Sequence, residues 1–109
     1  MDSPIATTEI VYVPEEGDEV VTEIQVGLPR EEAAASWACE VEIPGVERLR
    51  KIHGVDSLHA LLLALGFLSD RLEFLAGNGA DFLWPDTRER SRIADILPRL
   101  DTLVDSGSS

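Results

Sequence analysis

Two stretches in the first half of the chain alternate apolar and polar residues with a period of two. SWACEVEI, residues 36–43, places Glu40 and Glu42 on the side opposite its apolar residues, and EVVTEIQVGL, residues 19–28, repeats the pattern. This is the period of a strand with one buried face. The residues expected to face inward are Val20, Thr22, Ile24, Val26, Leu28, Trp37, Cys39, Val41 and Ile43.

Three further segments complete a predicted sheet. TTEIVYV, residues 7–13, is rich in β-branched and aromatic residues and predicts a strand, which PEEGD, residues 14–18, joins to the next as a hairpin loop. Pro44-Gly45 predicts a type II turn, after which residues 46–53 return as a weaker fourth strand. Residues 28–36 are interpreted as a loop, with one helical turn within it as the alternative. The result is an antiparallel meander whose solvated face carries Glu9, Glu23, Glu40 and Glu42.

The most apolar stretch, GVDSLHALLLALGFLSDRLEFL at residues 54–75, predicts one long helix. Asp56 or Ser57 can cap its first turn, and Gly77-Asn78-Gly79 ends it. Charged residues interrupt the apolar run well before the ~20 residues that a membrane span needs, so no membrane helix is expected. A leucine stripe at helical spacing should face the sheet. Its members are Leu58, Leu61, Leu65, Leu68, Leu72 and Leu75.

A second apolar face of the same helix carries Leu63, Phe67 and Phe74. One sheet cannot cover both faces, so the C-terminal segment, residues 80–104, is expected to cover this one, with a homodimer or a foreign partner as alternatives. That segment has apolar residues at helical spacing, interrupted by Pro98. The chain is thus predicted to be a single α+β domain over residues 1–104: an antiparallel β-meander of three to four strands packed on one long α-helix, with a partly helical C-terminal segment. Residues 105–109 are expected to form a disordered tail.

The net charge narrows the range of partners. The chain has 21 acidic and 9 basic residues, a net charge of -12. Such an excess repels nucleic acid and anionic membrane surfaces, which bind through clusters of lysine and arginine, and it attracts basic proteins. Improved solubility is the alternative use of the same charge. The N-terminus resembles no secretory signal and there is one cysteine, so a cytoplasmic location is expected.

Candidate chemistry is sparse, and no enzyme activity, cofactor or metal is predicted. His53 and His59 flank Asp56, but their spacing does not place two ligands on one helical face. Cys39 alternates with core residues and is interpreted as one of them. Ser57 lies near histidine and aspartate in sequence, yet a catalytic triad depends on spatial roles that such proximity does not supply.

Several groups of residues remain as candidates for partner binding. The first-hairpin loop carries four carboxylates, the strand over residues 36–43 carries two, and the second helix face is apolar. A tryptophan followed by proline stands in a loop-like setting, where an exposed ring can dominate an interface. The predicted partner-binding residues are Glu15, Glu16, Asp18, Glu19, Glu40, Glu42, Leu63, Phe67, Phe74 and Trp84.

The chain resembles a family of small uncharacterised bacterial domains in which strands precede a helix that begins with a GVDxxxAL motif. Strands like IATTEIV and SWACEVEI followed by GVDSLHALLLAL carry the resemblance, which covers roughly residues 5–84. Its best motif is Gly54-Val55-Asp56 followed by Ala60-Leu61. The resemblance implies the fold and brings no activity with it.

Size, acidity and the absence of a catalytic motif together predict a protein-binding module. The first hypothesis is a small inhibitor of the immunity type, which neutralises a basic protein such as a nuclease toxin by electrostatically steered association. The second is an acidic escort or secretion-chaperone-like homodimer that uses the Leu63/Phe67/Phe74 face. The third is a small-ligand-binding domain.

Overall fold

The computed structural model describes residue 1 and residues 3–98 as an α+β fold, as predicted. Within these residues six strands form one sheet, and a long helix packs on one side of it. The prediction of three to four strands was too low. The elements are β1 (Ala6–Val13), β2 (Val20–Val26), β3 (Arg30–Ala33), β4 (Ser36–Ile43), β5 (Glu47–Gly54), α1 (Ser57–Gly77), β6 (Asp81–Leu83) and α2 (Ile93–Ile96).

The sheet is antiparallel at every pairing, and β5 and β6 lie at its opposite edges. One side of β4 is shared by β3 and β2, while its other side pairs with β5. β1 pairs with the other side of β2, and β6 pairs with the other side of β1. Because α1 follows β5 and precedes β6, this helix connects the two edges of the sheet and crosses one face between them.

The turns form where the sequence predicts them. Gly17 has a φ of 118° in the loop between β1 and β2. Gly45 has a φ of 80°, and the Val46 amide donates a 2.8 Å hydrogen bond to the Ile43 carbonyl, as in a type II turn. Residues 28–36 are not only a loop, however: β3 pairs with β4 across a tight turn at Ala35, whose φ is 56°.

Helix α1 has the predicted start and end. The Asp56 side chain accepts a 2.7 Å hydrogen bond from the His59 amide, and at the other end Asn78 caps the helix before Gly79, whose φ is 96°. At the start, the helix also lies very close to β5: a Cβ built on Gly54 would be 2.4 Å from the Ala60 nitrogen. In the described residues no helix is long and apolar enough to cross a membrane.

The buried face of α1 is rotated relative to the predicted leucine stripe. Leu58 of that stripe is 62% exposed, whereas Ala60 and Ala64, which were not part of the stripe, are completely buried. The close approach of the helix to β5 explains the difference, because only small side chains fit where the two backbones nearly touch. The fully buried positions of α1 are Ala60, Ala64, Leu68 and Leu72, which pack on Ile10, Ile24, Val26, Cys39, Val41 and Ile43 of the sheet.

The C-terminal segment is less helical than predicted. Phe82 lies in the short edge strand β6, and α2 is a single turn. Ile96 and Leu97 line a shallow apolar pocket with Leu65, so the described part of the segment covers a different flank of α1 from the one that carries Phe67 and Phe74. The predictions for residues 99–104 and for a tail at 105–109 lie outside the described residues.

Candidate functional site

The loop between β1 and β2 carries four carboxylates and meets the C-terminal end of α1 through Glu15. Glu15, Glu16, Asp18 and Glu19 are all exposed, as predicted. A Cβ on Gly79 would lie 2.9 Å from the Glu15 side chain, so this side chain packs closely against the residue that follows the helix end. The last turn of α1 contains no basic residue. The negative end of the helix dipole and the loop carboxylates therefore act in the same direction and reinforce one another.

One arginine from the loop after β6 reaches this cluster. Arg88 has a left-handed φ of 60° and forms an ion pair with Glu19. Arg90, from the same loop, pairs with Asp81 of β6 at 3.3 Å. Both pairs lie at the surface, where a salt bridge contributes little to stability. Glu15, Glu16 and Asp18 remain exposed, and Glu15 lies beside the helix end.

The outer face of the sheet, opposite α1, extends the acidic surface along the same hairpin. Glu9 of β1 stands directly opposite Glu23 of β2, and Gln25 donates a 2.7 Å hydrogen bond to the Glu23 carboxylate. Like charges in directly opposed positions destabilise a sheet. Val21, two residues closer to the loop on the same face, is 74% exposed. We refer to Glu9, Val21, Glu23 and the carboxylates of residues 15–19 as the acidic hairpin surface.

Glu40 and Glu42 lie on β4, half-buried, as part of the solvated face predicted for them. Glu42 is in register with Gln25 of β2, which places it beside the acidic hairpin surface. Glu40 is instead in register with Lys51 of β5. The structure therefore brings Glu42 towards the hairpin carboxylates and sets Glu40 next to a cation.

A second cluster at the β5 edge joins Glu32 of β3 to two basic groups of β5. Lys51 Nζ lies 2.7 Å from one oxygen of Glu32, and His53 Nε2 lies 3.1 Å from the other. These contacts hold the pKa of Glu32 below its ordinary value, the hydrogen bond from Lys51 first and the one from His53 second. The cluster thus leaves Glu32 paired and removes it from the acidic surface available to a partner.

Replacing Lys51 with methionine should raise the pKa of Glu32, and replacing His53 with glutamine should raise it less. A lowered pKa stabilises the fold above the unfolded-state pKa of the group, and this contribution is lost as the pH falls through the folded-state value. Carboxyl-carbon NMR titration of the Glu32 side chain in the two variants measures both shifts. A larger shift in the His53 variant would mean that His53, and not Lys51, contributes most to the lowered pKa of Glu32.

Glu47 was missed by the sequence interpretation, which treated it as one polar residue of a weak strand. It is only 4% exposed, and its two oxygens accept hydrogen bonds from Arg50 and Arg71, each at 3.1 Å. The guanidinium of Arg50 lies 6.0 Å from the ring centre of Phe67. Arg71 lies 4.8 Å from that of Phe74. The carboxylate therefore ties β5 to α1 while the two arginines lie over the phenylalanine rings.

The predicted apolar face is accordingly not a simple hydrophobic surface. Phe67 is half-buried beneath Arg50, and Phe74 is 56% exposed with Arg71 above it. Leu63 is exposed. Trp84 is half-buried, and its backbone closes a turn by accepting a hydrogen bond from the Arg88 amide.

Cys39 and His59, whose side chains could serve in catalysis, each form a hydrogen bond with a backbone group. Cys39 is buried, which raises the pKa of its thiol, as does the negative charge of Glu40 to a lesser degree. Its Sγ donates to the Gly27 carbonyl at 3.4 Å. His59 Nδ1 accepts a 3.0 Å hydrogen bond from the Val55 amide. Across residues 1 and 3–98, no three His, Cys, Asp or Glu side chains come together as metal ligands.

One comparison with known proteins gives a match. The sequence model of a family described as "Domain of unknown function (DUF6968)" matches residues 8–93. No curated protein and no solved structure matches the chain. The match spans every strand and all of α1 except for the first two residues of β1.

Proposed function

The chain belongs to this family of unknown function, and we propose that it is a protein-binding module whose acidic hairpin surface captures a basic protein. Small size and strong acidity favour an inhibitor of the immunity type, which covers the cationic working surface of a toxin such as a nuclease. The proposed partner is a basic protein that carries lysine and arginine side chains at the place where the partner's anionic substrate binds.

The position of the acidic loop at the C-terminal end of α1 is the observation that carries this proposal. In the free protein this placement is unfavourable, because negative side chains near the negative end of a helix dipole cost stability. A basic surface brought against the loop reverses the sign of that interaction: Glu15, Glu16, Asp18 and the helix end would then all attract it. An arrangement that weakens the free fold and strengthens a complex is typical of a binding site.

The outer face of the hairpin adds further negative charge and an apolar side chain to the proposed interface. The opposed pair of Glu9 and Glu23 adds a second unfavourable concentration of charge, which a cation from a partner would relieve. Val21 presents an apolar side chain between that pair and the loop. Apolar contact surrounded by charged groups is the usual anatomy of a specific interface, with charge governing the rate of encounter.

Charge reversal of the loop should slow binding to the partner at least about tenfold at low salt without unfolding the domain. The partner is first captured from a lysate of the source cell on the immobilised protein and released by steps of increasing salt. Association rates are then measured by surface plasmon resonance for the wild type and for a variant with Glu15→Lys, Glu16→Lys and Asp18→Lys.

A matched control carries the same change in net charge at Glu31, Asp70 and Asp95, which are exposed and lie outside the acidic hairpin surface. If the loop is the site, the control slows association much less than the loop variant does. Equal effects of the two variants would mean that only net charge matters. An unchanged association rate in the loop variant would reject the acidic hairpin surface as the site.

A further inference from the structure

Helix α1 is followed by the dipeptide Asn78-Gly79, in which a side-chain amide stands next to a backbone nitrogen that can react with it. Asn78 is the only asparagine in the chain, and it is exposed. Glycine has no side chain that would shield its own backbone nitrogen, so an asparagine that precedes glycine deamidates more readily than one that precedes a larger residue. The only other side-chain amide belongs to Gln25, which is followed by valine.

Deamidation at this pair is a cyclisation followed by hydrolysis. The Gly79 nitrogen loses its proton to solvent base and attacks Cγ of Asn78, which forms a five-membered succinimide. The bond from Cγ to Nδ2 breaks, and the nitrogen leaves as ammonia. Water then opens the ring at one of its two carbonyl groups and gives aspartate or isoaspartate. The net change is the exchange of ammonia for water, so the reaction needs no oxidant and no enzyme.

In the folded chain, hydrogen bonds at the helix end hold both reacting groups. Asn78 Nδ2 donates to the Phe74 carbonyl at 3.0 Å, and the Gly79 amide donates to the Ala76 carbonyl at 3.1 Å. Asn78 has a ψ of 15°, which turns the Gly79 nitrogen towards the backbone nitrogen of Asn78 and away from its Cβ. The ring cannot close in this conformation, because the attacking nitrogen must lie on the same side as Cβ and Cγ. The C-terminal turn of α1 must therefore open before the reaction.

The side chain of Glu15 adds to this protection. It lies so close to Gly79 that a Cβ built there would be 2.9 Å from the Glu15 Cβ, Cδ and Oε2 atoms. A nearby negative charge disfavours the loss of a proton from the Gly79 amide, because the anion that forms is repelled by it. Both the packing and the charge thus slow the first step as long as the hairpin loop and the helix end stay together.

We infer that Asn78 is a deamidation site whose rate is set by the opening of the C-terminal turn of α1. The end of a helix opens without unfolding of the whole domain, and a slow reaction of the open form follows its population. The product closes less well than the original turn. Aspartate cannot donate to the Phe74 carbonyl, and its charge lies at the negative end of the helix dipole. Isoaspartate also adds a methylene group to the backbone.

The test is the mass of the full chain during incubation at mildly alkaline pH, in native buffer and in concentrated urea. The wild type is expected to gain the mass difference between an amide and a carboxyl group at least about tenfold more slowly when folded. Tandem mass spectrometry of the digested chain identifies the modified residue. Asn78→Gln is the control, because glutamine keeps an amide but would have to close a six-membered ring. This variant should keep its mass in both conditions.

A wild type that does not deamidate at residue 78 in urea overturns the inference, as do equal rates in urea and in native buffer. A mass gain of the same rate in Asn78→Gln would place the reaction at another residue and overturn it too. Asn78→Asp, which is one of the two products, should unfold at a lower urea concentration than the wild type when the transition is followed by circular dichroism. Equal midpoints would contradict the proposed effect of the product on the helix end.

Discussion

Replacing Gly54 with alanine should lower the free energy of unfolding by about 3 kcal/mol or more, the upper end of what overpacking costs. The added Cβ would lie 2.4 Å from the nitrogen of Ala60, 2.8 Å from its Cα and 2.9 Å from the carbonyl carbon of His59. All three are backbone atoms of the first turn of α1. They cannot move aside as a flexible side chain would, so the whole turn must shift, and with it the hydrogen bond from the His59 amide to Asp56.

Urea denaturation followed by circular dichroism measures this loss. Gly66→Ala is the control, because a Cβ at residue 66 meets open space and alanine is the better helix former by up to ~1 kcal/mol. The two glycine substitutions should therefore change stability in opposite directions. A Gly54→Ala variant as stable as the wild type would contradict the close contact between β5 and α1.

Glu47→Ala should be the second most damaging change, with a loss of about 2–4 kcal/mol. Removing one partner of a buried ion pair leaves the other charge without compensation, and here one carboxylate serves both Arg50 and Arg71. The two arginine side chains are 41% and 32% exposed, so water recovers part of the loss. Glu47→Gln should cost less, because an amide oxygen still accepts one of the hydrogen bonds.

Denaturation of Glu47→Ala, Arg71→Ala and the double variant isolates the coupling between the two side chains. Glu31→Ala is the control for loss of one acidic residue at an exposed position. Since the chain is strongly acidic, that control should leave stability unchanged or raise it slightly. A coupling near zero between residues 47 and 71 would contradict their interaction.

The parts of the fold that could be predicted are those with a local physical signal. Strand β4 has its predicted bounds because alternate side chains enter the core, and α1 begins just after Asp56 because that side chain caps it. Strand β3 has no such signal: REEA is exposed at all four positions and pairs only because β4 lies beside it. Strand β6 is three residues long and forms through β1, far away in sequence.

The candidate surfaces likewise combine features that the sequence predicts with features that depend on the folded structure. Acidic loop residues are visible in the sequence, but the position of Glu15 against Gly79 and the opposition of Glu9 and Glu23 depend on tertiary structure and strand register. Glu47 resembles any other glutamate in a polar strand, and only the arginine three residues later hints at a partner. Leu58 was assigned to the core because helical periodicity gives the apolar side of a helix without the small residues that fix its rotation.

The connection of the two sheet edges by α1 has a consequence for the order of events as the chain emerges from the ribosome. β1 and β2 can pair at once as a hairpin, but the other edge of β1 stays open until residues 81–83 have been made. Unpaired edges of this kind invite pairing with other nascent chains, and charged side chains discourage it. Glu9 and the carboxylates of the hairpin loop are charged side chains of this kind, and they lie on the strand and loop that stay unpaired on one side until residues 81–83 have been made.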